Sequence, residues 1–77
     1  MIMTLQEIFS TCPDWDRFCR LHGFNEYAVN EGGGDVQVSL TISQAYHLGI
    51  VQQVPDWKLQ TFEEAYPGTD RTESERI

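Results

Sequence analysis

The apolar residues of this chain recur first with a helical period and then with a strand period, changing near residue 24. Leu5, Ile8, Phe9 and Cys12 are spaced i, i+3, i+4 and i+7, so they share one face of a helix that Thr4 is suited to cap. Trp15, Phe18, Cys19 and His22 repeat that spacing. Between the two runs, Thr11-Cys12-Pro13-Asp14-Trp15-Asp16 carries a second start signal. Thr11 or Cys12 suits the cap, Pro13 the first helical position, and Asp14 and Asp16 the electropositive first turn. Gly23 suits a left-handed helix end. The N-terminal third therefore predicts a helix broken at Pro13 or a pair of short helices, with Asp16 and Arg20 as a surface ion pair.

From Phe24 the period becomes two. Tyr27 and Val29 alternate with Glu26, Ala28 and Asn30, and beyond Gly32-Gly33-Gly34-Asp35 the residues Val36, Val38 and Leu40 alternate with Gln37, Ser39 and Thr41. This pattern predicts a β-hairpin turning at the glycines, with one apolar face laid on the helices. Thr41-Ile42-Ser43-Gln44 has the form of a capping box, which opens a short helix that Gly49 can stop. Residues 50–54 read as a third strand or an extended connection ending at Pro55. Asp56 then suits the cap of a last helix, with Leu59, Phe62 and Tyr66 on one stripe before the stop Pro67-Gly68. Residues 69–77 have no apolar period and read as a mobile tail. The expected fold is a small single α+β domain over residues 1–68.

Seventy-seven residues, 40% of them hydrophobic and with two Trp, three Tyr and four Phe, suffice for one core. Twelve acidic against five basic residues give a net charge of -7, which disfavours binding to phosphate backbones or anionic membranes. The first residues have neither a basic region nor an apolar run, so neither a secretory signal nor a membrane span is expected, and the cytosol is the expected compartment. If Cys12 and Cys19 lay on one helix they would be about 10 Å apart by helix rise, too far for a disulfide. Reduced thiols fit that compartment.

Cys12, Cys19, His22 and His47 are a sufficient donor set for tetrahedral zinc, but Cys-x6-Cys-x2-His lacks the close cysteine knuckle of structural zinc sites. Cys19 paired with His22 or His47 is the enzymatic alternative. It lacks identifiable oxyanion donors and room to exclude water. Glu63 and Glu64 are adjacent and point apart on a helix, and the glycine run precedes a strand rather than the helix a phosphate cradle needs. No catalysis, metal or cofactor is expected.

The acidic surface remains. A net charge of -7 matches only about 12 Å of duplex, too little for a general DNA mimic. Glu26, Glu31 and Asp35 on the hairpin, or Glu63 and Glu64, suffice to cap a basic groove locally, and an exposed Trp57 or Tyr66 is the natural anchor. The expected function is non-catalytic binding to a protein with a basic surface, without direct contact to nucleic acid or membrane. Small size and acidity are also general to phage and mobile-element inhibitors of nucleic-acid-binding defence complexes, anti-CRISPR proteins among them, although no motif carries that comparison. A structural homodimer through the hairpin edge or the last helix is the alternative, and a Cys/His zinc-binding protein is the less favoured one.

Overall fold

Thr4 begins the first helix, as its residue type predicts. In the computed structural model, which describes residues 1–67, α1 spans Leu5–Thr11. Thr4 Oγ1 accepts the Glu7 amide at 3.2 Å while the Glu7 carboxylate accepts the Thr4 amide at 2.9 Å. That reciprocal box satisfies two donors that a helix start otherwise leaves open. α2 spans Trp15–His22 and ends at Gly23, whose φ of 75° is the left-handed end expected from its sequence. Its cap is Asp14, not Thr11 or Cys12: the carboxylate accepts the Arg17 amide at 3.0 Å. Pro13 consequently lies before the cap and fits closely against Gly49, where an added Cβ would come within 2.8 Å of the Pro13 ring. Asp16 and Arg20 form the expected ion pair.

The two-stranded antiparallel element draws its first strand from the N-terminus. β1 (Ile2–Thr4) pairs with β2 (Gln37–Ser39) in the register Ile2 to Ser39, Met3 to Val38 and Thr4 to Gln37. Flanking bonds continue the pairing, from the Leu5 amide to the Val36 carbonyl and from the Leu40 amide to the Met1 carbonyl. Residues 27–30, expected to pair with β2, instead curl. The Asn25 side chain accepts the Tyr27 amide at 2.8 Å, which starts a turn, and a π-helical turn follows over Val29–Gly33. Gly32, at φ 94°, permits that curl. The Gly34 carbonyl then accepts the Gln6 amide at 3.0 Å, so the glycine run covers the start of α1.

α3 (Ile42–His47) carries the expected Thr41 and Gln44 capping box. Residues 50–54 form no strand. The last helix is shorter than expected: Asp56–Lys58 make a single 3-10 turn, and α4 (Phe62–Ala65) starts anew at a second Thr box, Thr61 with Glu64. The backbone between them is extended because its polar groups bond to side chains of α3. The tail expected over residues 69–77 lies outside the described residues.

The result is a small single α+β domain. Leu5, Ile8 and Cys12 of the first helical stripe meet Phe18, Cys19, Val38, Leu40 and Leu48 in one core. Burying these side chains supplies the main stabilisation, at about 25 cal/mol per Å² of apolar surface. Phe18 is its centre, stacked against Trp15, His22 and Phe24 at centroid distances of 5.3, 4.7 and 5.7 Å. Among the described residues no helix is long and apolar enough to cross a membrane.

Candidate functional site

Trp57 stands out because its side chain is 82% exposed while the backbone around it is held from several directions. Pro55, at φ -54°, starts the turn, and its carbonyl accepts the Lys58 amide at 2.9 Å and the Leu59 amide at 3.1 Å. α3 grips the next residues. Ser43, only 2% exposed, donates its hydroxyl to the Lys58 carbonyl at 3.1 Å and accepts the Gln60 amide at 3.0 Å. One turn later the Nε2–H of His47 donates to the Gln60 carbonyl at 2.8 Å. Gln44 extends the clamp by donating to the Ala65 carbonyl at 3.0 Å.

The other side of α4 rests on α2. The Arg17 guanidinium sits 4.7 Å from the centroid of the Phe62 ring, and the His22 Nε2 and the Tyr66 hydroxyl share a hydrogen bond of 2.8 Å. Burial lowers the His22 pKa from its ordinary value and pushes the Tyr66 phenol up to about 12, so near neutrality the pair is uncharged. Tyr66 is therefore not the exposed anchor expected of it: at 7% exposure it closes α4 onto α2. Of the stripe expected in the sequence, Phe62 and Tyr66 face the domain, whereas Leu59 is exposed.

The acidic candidates divide between two segments. Glu63 and Glu64 belong with Trp57 to the stretch held by α3, as does Asp56, which the sequence marks only as a helix cap, and all three are exposed. The Glu64 carboxylate accepts the Thr61 amide at 3.0 Å, and its pKa is lowered chiefly by that bond, so it is part of the helix start. Glu26, Glu31 and Asp35 are exposed on the curled connection between α2 and β2 rather than on a hairpin. Lys58 lies over the Trp57 ring, with Nζ 4.8 Å from the centroid.

The Cys and His residues have separate surroundings. Cys12 Sγ donates to the Leu48 carbonyl at 3.4 Å, while Cys19 Sγ lies 3.9 Å from the Asn25 carbonyl. Burial raises the pKa of both cysteines, which keeps them as thiols, and His22 is engaged by Tyr66. Among the described residues no group of three or more His, Cys, Asp or Glu side chains is placed to hold a metal ion. Ser43, His47 and Lys58 are not marked for this surface by the sequence patterns that mark Trp57. The i, i+4 spacing of Ser43 and His47 on α3 is the signal that could have found the clamp. No family model, curated protein or solved structure matches this chain.

Proposed function

We propose that the protein is a non-catalytic binding protein whose Trp57 surface docks on a basic patch of a protein partner. One observation carries the reading: a tryptophan 82% exposed on a turn whose flanking backbone is fixed by a buried serine and a histidine. A large aromatic left in water serves neither core nor solubility, whereas on a pinned turn it offers contact area with little ordering cost on binding. The net charge of -7, with Asp56, Glu63 and Glu64 in the same segment, favours a cationic partner and faster encounter with it. Basic surfaces of this kind belong to nucleic-acid-binding complexes, so a cytoplasmic inhibitor of such a complex, of the phage or mobile-element type, fits the chemistry. The test is capture of the partner on wild-type and Trp57→Ala baits at two ionic strengths. The partner should be lost from the variant bait, and its affinity should fall from low to moderate salt. Equal retention on both baits, or affinity flat with salt, overturns the proposal.

A second reading, a homodimer, is favoured by the short β1 and β2 ribbon, where Ile2 is 68% exposed and Val36 46% exposed. Sedimentation at high concentration that finds only monomer excludes it.

A further inference from the structure

We propose that the Trp57 indole is the seat of an arginine side chain presented by the partner. This deepens the basic-partner reading and rests on it. The ring already holds a cation, since Lys58 Nζ lies 4.8 Å from its centroid. With 82% of the residue exposed, Lys58 leaves most of the indole open to a second group. An indole face attracts cations through its quadrupole, and a guanidinium suits it better than an ammonium because it is planar, stacks, and is more weakly hydrated. The Asp56 carboxylate precedes the indole in sequence, is exposed, and complements the same charge. Ile42 and Tyr46, the residues before Ser43 and His47 on α3, are partly exposed, as is Leu59 two positions beyond Trp57. Lys58 is then an internal competitor, displaced or repelled when the partner's cation arrives.

The test titrates the full chain with oligo-arginine and oligo-lysine peptides of equal length, followed by heteronuclear NMR at low salt. The Trp57 indole N–H signal is identified by its loss in Trp57→Phe. Oligo-arginine is expected to move that signal and to bind about three- to tenfold more tightly than oligo-lysine. Lys58→Met should tighten the arginine complex further, and Trp57→Leu, which keeps apolar mass without a π face, should abolish the preference. Equal affinities for the two peptides overturn the arginine seat and leave the basic-partner reading standing. Shifts confined to signals other than the Trp57 indole overturn the seat in the same way. If neither peptide moves any signal, the basic-partner reading fails too.

Discussion

The domain is held together in two different ways. Around α1 and α2 the contacts are apolar and continuous, with Leu5, Ile8, Phe18 and Cys19 buried against one another and against Leu40 and Leu48. Across residues 55–66 most side chains face water, and the segment is tied down by groups on its neighbours: Ser43 and His47 to the Lys58 and Gln60 backbone, Gln44 to Ala65, and His22 to Tyr66. Apolar packing fixes a shape by excluding water. Side chain to backbone bonds fix the path of a chain while leaving its own side chains free, which is what a presented surface requires.

The largest effect should come from removing the centre of the apolar region. Phe18→Ala deletes a ring that is fully buried, a change that costs about 3–5 kcal/mol in other cores. A single core of this size supplies only about 3–5 kcal/mol in total. The variant is therefore expected to lose its cooperative thermal transition in circular dichroism. A transition at the wild-type temperature would mean that the polar ties alone sustain the fold.

A smaller and more local effect is expected at Ser43. Ser43→Ala leaves the Gln60 amide without its acceptor and the Lys58 carbonyl without its donor, at a cost of about 1–3 kcal/mol. Amide exchange at Gln60 should accelerate about tenfold or more while the thermal transition remains cooperative. Exchange at the wild-type rate would show that the bonds flanking Trp57 do not hold it, and the case for a presented turn would fall with them.

What is legible in the sequence follows the same division. The Thr4 and Thr41 starts, the Gly23 end and the helical stripes through Leu5, Ile8, Phe18 and Cys19 are local signals, and each lies where its spacing placed it. Long-range pairing is not written locally. β1 is three residues long, too short to show a period, so the alternating run at Tyr27 and Val29 looks like the nearer partner for β2, and Asn25 and Gly32 curl that run instead. The clamp is hidden for a related reason: the i, i+4 spacing puts Ser43 and His47 on one face of α3, but nothing local tells that this face meets a carbonyl fifteen positions beyond Ser43. Tyr66 shares the stripe of Phe62, and only the position of α2 beneath that stripe decides between solvent and the domain.

The smallest effect is a pH dependence at the residue where the two regions meet. His22 stacks on Phe18 of the apolar core with one face and bonds the Tyr66 hydroxyl with Nε2, so it joins the two regions. Burial lowers its folded pKa below the ordinary 6.5, while the unfolded chain keeps an ordinary imidazole. The stability this neutral histidine contributes is fully present above the unfolded pKa. As the pH falls below 6.5, the unfolded state takes up a proton that the folded state still refuses, and stability declines until the lowered pKa is passed. The Tyr66 phenol, pushed up to about 12, keeps its proton throughout and does not offset the loss. Carboxylates titrate in neighbouring ranges, so the measurement is a difference: urea midpoints from neutral to mildly acidic pH for the wild type and for His22→Gln, which retains a polar partner for Tyr66 but cannot titrate. The wild type should lose more stability over that interval than the variant. Parallel curves would mean that protonated His22 is accommodated in place, and that α4 rests on α2 through Phe62 and Arg17 rather than through the neutral His22 and Tyr66 pair.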